Sequence, residues 1–136
     1  MIVIDASIAL KWLKEGESYR DEALSLYQRH KTGKELIIAP SLIFIEIANA
    51  LVTKSATTEE TIKKSLSIVF KTNLKIHETD NENLIQASTF AKKFKTSVYD
   101  MLYAVVAKER SAILYTADEK FIEKTGFKFV KHIKDF

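Results

Sequence analysis

The stretch Ile2-Val3-Ile4-Asp5-Ala6-Ser7-Ile8-Ala9-Leu10-Lys11-Trp12-Leu13 decides the fold. Its first three residues are apolar and β-branched, the composition of a short strand covered on both faces. The run ends on a carboxylate, and the residues from Ala6 onward have helical composition. Asp5 therefore stands at a strand-to-helix switch, the edge at which open α/β sheets bind their ligands. Two readings of Asp5 stay open from this stretch alone. Asp is a favoured N-cap for a following helix, and it can equally be a functional carboxylate; one residue can do both.

Working outward, similar apolar runs recur. Leu36-Ile37-Ile38-Ala39 reads as a second strand, closed by Pro40-Ser41, which opens a helix. Leu74-Lys75-Ile76 reads as a third strand, Ala112-Ile113-Leu114-Tyr115-Thr116 as a fourth and Phe127-Lys128-Phe129-Val130 as a fifth. Helical periodicity fills the gaps. Ala23, Leu24, Leu26 and Tyr27 share a face over residues 20–31, which Gly33 stops from a C′ position. Ile62, Leu66, Val69 and Phe70 recur at core spacing over 58–71, as do Leu84, Ala87, Ala91 and Phe94. Capping-box spacing marks helix starts at Thr57 with Glu60, Thr79 with Glu82, Thr116 with Glu119, and Ser97 with Asp100 in place of the usual Glu. Strands alternating with helices predict a parallel, three-layer α/β sheet with right-handed crossovers, as one domain over 1–136.

Composition excludes several kinds of chemistry. Among 136 residues there is no Cys, hence no disulfide, no zinc–thiolate site and no thiol nucleophile. No apolar stretch approaches the 18 or so residues of a membrane span, and no basic segment precedes a long apolar run at the N-terminus. A cytoplasmic protein without a signal peptide, not bound to a membrane, is expected. Net charge is +3, and it is uneven: residues 1–53 hold 6 Lys/Arg against 7 Asp/Glu, and the remainder 15 against 11. A basic surface favours a polyanion such as nucleic acid. A Lys-rich solvated surface gives the same figures.

The informative acids sit where acids are costly. Residues 42–53 are apolar almost all round, as in a buried helix, yet they carry Glu46, Asn49 and Thr53 at spacings that share one face. A carboxylate on a buried helix is costly unless paired, neutralised or bound to metal. Asp100 opens another nearly apolar helix, Val98 to Lys108, where it can stabilise the first turn or serve a site. Asp118 follows the fourth strand as Asp5 follows the first. In a parallel sheet all four acids reach the carboxyl edge. Four converging carboxylates repel and raise one another's pKa values. A divalent cation resolves this, and oxygen-only ligands point to Mg²⁺ or Mn²⁺. The histidines His30, His77 and His132 lie outside every motif and read as surface or structural.

These motifs resemble one family over essentially the whole chain. Val3-Ile4-Asp5-Ala6-Ser7 with Ala9 to Leu13, then Pro40-Ser41 with Glu46-Ile47-Ala48-Asn49-Ala50-Leu51, then Tyr99-Asp100 with Tyr103-Ala104 and Ala107, and finally Thr116-Ala117-Asp118 with Phe121 resemble the PIN-domain ribonucleases, and within them the VapC-type toxins of toxin–antitoxin pairs. The resemblance implies sheet order 3-2-1-4-5, which makes the first and fourth strands neighbours and sets Asp5 beside Asp118. It implies that Asp5, Glu46, Asp100 and Asp118 are the catalytic and metal-binding residues of a Mg²⁺ or Mn²⁺ endoribonuclease. Ser7, Asn49 and Thr116 would support them by orienting an acid, a water or the RNA; for Thr116 a cap is an equal reading. It further implies a homodimer and a small VapB-type antitoxin that also binds DNA. Two relatives of this reading stay open, a housekeeping PIN nuclease of RNA processing and a non-catalytic RNA-binding PIN domain. A signalling receiver, another small doubly wound protein, would need a phosphoacceptor Asp ending its third strand, where this chain has Ile76-His77-Glu78.

Overall fold

A computed structural model describes residues 1–54 and 56–136. The first strand, β1 (Ile2–Ile4), is followed by α1 (Ala6–Leu13) and α2 (Arg20–Lys31). Then come β2 (Ile37–Pro40), α3 (Leu42–Thr53), α4 (Glu59–Phe70) and β3 (Lys75–His77). The chain continues through α5 (Asn81–Phe94), α6 (Val98–Glu109), β4 (Ile113–Thr116), α7 (Glu119–Thr125) and β5 (Val130–His132), ending in a 3₁₀ turn at Ile133–Asp135. The strands form one parallel sheet in order β3-β2-β1-β4-β5, as the resemblance implied.

β1 is the central strand, and all three of its residues are buried. That is why the run is apolar without alternation: helices cover both faces of a parallel sheet. Right-handed crossovers carry α1–α4 over one face and α5–α7 over the other. α1 packs on α2 and α3, while α6 lies across β1, β2 and β4 with α5 against it. Val3, Ile4, Ile8, Ile37, Leu114 and Met101 are among the fully enclosed side chains of the core. Trp12 locks α1 to α2, donating its indole N–H to the Ala23 carbonyl at 2.9 Å with its ring tilted on Tyr27.

Several local expectations move. The fifth strand is Val130–His132; Phe127 and Phe129 precede it and stack on each other at 5.2 Å, with Phe127 edge-on to Phe90 and Phe94 of α5. α4 is capped by Thr58, which accepts from the Thr61 N–H, rather than by Thr57. α5 is capped by a reciprocal Asp80–Asn83 box rather than by Thr79 and Glu82. A carboxylate accepts more strongly than the hydroxyl beside it, and its helix starts one residue later. α7 is capped by Asp118, which leaves the Thr116 hydroxyl for another partner. Ser97 caps α6, accepting from the Asp100 N–H. Gly33 takes the expected left-handed conformation after α2, with φ +74°.

α3 is less buried than its composition implied. Ile43, Ile47 and Leu51 face the core, while Ile45 and Val52 are 68% and 64% exposed. The histidines are structural, and none reaches the acids. His30 bridges the Ile37 N–H and the Thr72 carbonyl. His77 and His132 are buried.

Candidate functional site

Register brings the first acid to its neighbours. β1 and β4 run in parallel with Ile4 opposite Tyr115, so the next residues, Asp5 and Thr116, leave the sheet side by side. Asp5 stands at the N-cap position of α1, but its carboxylate makes no capping bond. Both oxygens are instead held by hydroxyls. Ser7 Oγ donates to Oδ1 at 2.5 Å, and Thr116 Oγ1 donates to Oδ2. Each hydroxyl is fixed in turn by a backbone N–H of the β4–α7 turn: Ala117 N–H donates to Ser7 Oγ and Asp118 N–H to Thr116 Oγ1, both at 3.0 Å. The two-armed clamp orients the carboxylate and ties the ends of the two central strands together.

The other three acids approach from three elements. Glu46 lies one turn into α3 and accepts from the Tyr103 hydroxyl at 2.8 Å, across the sheet edge from α6. Asp100 opens α6, three residues before Tyr103 and hence on the same side of the helix. Asp118 caps α7, its Oδ1 accepting from the Phe121 N–H at 3.0 Å. Asn49 is exposed and makes no side-chain hydrogen bond among the described residues.

Electrostatics tie the four together. Burial pushes the Asp5 carboxyl up to about 6, the charge of Asp100 adds to this, and the Ser7 and Thr116 hydroxyls oppose it. Burial also raises Glu46, with Asp100 adding and Tyr103 opposing. Asp100 is raised by burial first and then by Asp118, against Ser97 and the charge of Lys124. Asp100 is thus the hub that feels each of the other acids. The Tyr103 phenol is held far above its usual range, by burial and then by Glu46, so it remains a donor.

None of the four carboxylates forms an ion pair among the described residues. Nor do three of them converge tightly enough to enclose a cation by themselves. Mg²⁺ and Mn²⁺ take oxygen ligands, and Mg²⁺ keeps several waters, so one or two direct carboxylates would be enough to hold it. Of the four, Asp5, held by two hydroxyls, and Asp100, coupled to the other acids, are the candidates that could ligate an ion directly. Glu46 and Asp118 would then act directly or through water.

Tyr103 is the functional side chain that sequence reasoning passed over. It was visible within the Tyr99-Asp100-Tyr103 motif, but its partner lies 57 residues away on another helix.

Comparison with known proteins follows the same direction. Residues 2–127 match the model of the PIN domain family. No curated protein sequence matches. Among solved structures, PAE2754 from Pyrobaculum aerophilum superposes with a TM-score of 0.71 at 20% identity, over 98% of this chain and 84% of that one. VapC20 from Mycobacterium tuberculosis, described as a sarcin-ricin loop cleaving toxin, gives 0.70 at 13% identity over 96% and 98% of the two chains. VapBC2 from Rickettsia felis, solved on a DNA fragment from its promoter, gives 0.71 at 16% identity over 97% and 98%. At these identities the neighbours establish the fold alone. The match of the family model over nearly the whole sequence goes further, and the chain belongs to the PIN domain family.

Proposed function

We propose that this protein is a Mg²⁺- or Mn²⁺-dependent endoribonuclease that hydrolyses RNA phosphodiester bonds. In this reading it is the toxin of a type II toxin–antitoxin pair, restrained by a VapB-type antitoxin. The observation that carries it is the uncompensated acid quartet around a clamped, partly buried Asp5. Family membership supports nuclease chemistry. The toxin and toxin–antitoxin assemblies among its structural neighbours support the physiological role.

The chain's own residues do three things here. Ser7 and Thr116 fix Asp5 so that its oxygens aim along one direction. Tyr103 holds Glu46 against the repulsion of Asp100 and favours its ionised form. The charge of Lys124 opposes the repulsion that Asp118 exerts on Asp100. Held by these acids, a divalent ion would supply Lewis-acid activation of the nucleophile and charge stabilisation at the phosphate oxygens.

The protein works in the cytoplasm as a homodimer in this proposal. Exposed Ile45 and Val52, seven residues apart on one side of α3, support such an interface. Size-exclusion chromatography with light scattering should return twice the 15.5 kDa chain mass; a monomer at working concentration contradicts this part.

The cleavage assay tests the rest. Purified protein is incubated with end-labelled single-stranded RNA and with a tRNA pool, in Mg²⁺, Mn²⁺ or EDTA. Cleavage with metal that stops in EDTA is expected. Cleavage in EDTA, or none with any metal, overturns the proposal. Tyr103→Phe should lower activity about tenfold at neutral pH. Losing the phenol raises the Glu46 pKa further, so the acid limb of the pH–rate profile moves to higher pH and activity recovers as pH rises. An unmoved limb would deny Tyr103 this role.

A further inference from the structure

Beside Asp118 the surface opens into a cavity of about 430 Å³, lined by Lys11, Ser18, Tyr19, Asp118, Lys120 and His132. Apart from Asp118, its residues are unexplained by the acid centre. Lys11, in the last turn of α1, is only 8% exposed, yet makes no ion pair among the described residues. Its stem is buried against the protein and its ammonium is left to solvent. Glu119, also on the wall, is exposed at the rim.

Tyr19 is unexplained in a different way. It occupies the N-cap of α2, where its side chain makes no capping bond. Its φ is +58°, a left-handed conformation that costs a bulky residue about 1 kcal/mol. Asn, Asp, Ser or Gly would serve the helix better at this position. Yet the surroundings hold it there. Arg20 donates from Nε to the Lys11 carbonyl at 3.0 Å and from its terminal nitrogen to the Trp12 carbonyl at 3.4 Å, which clamps the α1–α2 connection. The Tyr19 ring stands edge-on to His132 at 5.1 Å and keeps 41% of its surface exposed. Residues in sparsely populated backbone conformations, held by their neighbours, cluster at sites of function.

We infer that this cavity is a nucleotide subsite of the acid centre. Lys11, with Lys120 at the rim, takes the phosphate that follows the scissile one past Asp118, and Tyr19 stacks on the base of that nucleotide. The inference rests on the RNA-cleavage reading. Four carboxylates repel a phosphodiester, so a strand crossing them needs cations on its flank, and a lysine whose stem is buried while its ammonium meets solvent holds its charge there in a fixed place. Stacking on an exposed aromatic ring is the sequence-tolerant way to hold an unpaired base.

The test uses fluorescence anisotropy with a fluorescein-labelled single-stranded RNA decamer of mixed sequence, on protein carrying Asp5→Asn so that the probe stays intact. Against that parent, Lys11→Met should weaken binding about tenfold and flatten the slope of log affinity against log salt by about 0.7, the loss of one single-strand phosphate contact. Lys11→Arg should restore both. Tyr19→Asn tolerates the left-handed backbone, so its melting temperature should stay within a few degrees while binding weakens about fivefold with the salt slope unchanged. In protein retaining Asp5, the loss in Lys11→Met should fall on KM more than on kcat. A parent that binds the decamer, with Lys11→Met matching it in affinity and slope, overturns the subsite and leaves the nuclease reading standing. A parent that binds no RNA overturns both.

Discussion

Replacing Asp5 by Asn should make the protein inactive and more stable at once. The activity loss is expected to be on the order of 10³ or more, because the clamped acid is removed from the centre that handles the phosphate charge. The stability gain follows from linkage. Burial raises the folded carboxyl from 3.8 to about 6, so the folded state holds its proton more tightly than the unfolded chain. A raised carboxyl stabilises the fold at low pH and loses that contribution as pH climbs from about 4 to about 6. At pH 7 the ionised group costs the fold about 3 kcal/mol. Asn carries no charge to bury. Its amide can still accept from one of the two hydroxyls and donate to the other, so most of the clamp survives. In EDTA at pH 7 the variant should melt about 9 °C higher than the unmodified protein. At pH 4 the advantage should vanish. A variant that melts lower at pH 7, or that keeps its nuclease activity, contradicts the picture of Asp5 as an acid held at the expense of the fold.

Asn83→Ala should do the reverse: cost stability and spare the reaction. Asn83 is 3% exposed and joins three elements. Its amide oxygen accepts from His77 Nε2 at 2.9 Å and from the Asp80 N–H at 3.2 Å, and its Nδ2 donates to Glu109 Oε2 at 2.6 Å. Arg110 donates to the other ring nitrogen of His77 from Nε at 3.3 Å and from its terminal nitrogen at 3.0 Å. A guanidinium cannot accept, so Nδ1 is the acceptor, Nε2 carries the proton, and the ring is neutral. Truncating Asn83 leaves that buried N–H without its best partner and removes one arm of the α5 capping box. The expected cost is about 2–4 kcal/mol, read as a melting temperature lower by about 6–12 °C. Because no acid of the quartet belongs to this network, kcat at 25 °C should stay within about twofold. A melting temperature within 2 °C of the parent would mean that the network does not hold β3, α5 and α6 together.

The sequence carried the fold through β1. Three β-branched residues ending on Asp5 specify a strand buried on both faces, and the same apolar pattern locates β2 and β4. Weaker signals failed for identifiable reasons. Phe127-Lys128-Phe129 alternates as a strand does, but its two rings stack on each other and pack on α5, and the edge strand starts at Val130. Capping-box spacing cannot choose between neighbouring caps, and at Asp80 and Asp118 the carboxylate won over the adjacent or nearby hydroxyl. Ile45 and Val52 made α3 look buried because composition counts apolar residues without saying which side of the helix they take, and these two lie on its outer side.

The acids themselves were legible, since each is placed at a strand end or in the opening turns of an apolar helix. Ser7 and Thr116 were named as supports only through the resemblance, and which acid each side chain holds was not legible. The Thr116 hydroxyl crosses 111 residues to reach Asp5, and the Tyr103 hydroxyl crosses 57 to reach Glu46. Such contacts arise from sheet order and helix packing, and no local spacing encodes them. Asn49 had the right helical face for a supporting role, and the structure leaves it exposed.

Everything rests on the four carboxylates acting as one centre, and Mn²⁺ binding reads that directly. Titrating the metal-free protein with Mn²⁺ by calorimetry, alongside Asp5→Asn, Asp100→Asn and the exposed control Glu60→Gln, separates a centre from scattered surface charge. Saturable binding in the parent and in Glu60→Gln, weakened at least tenfold in both Asp variants, is the predicted result. Equal Mn²⁺ binding in all four proteins would contradict it.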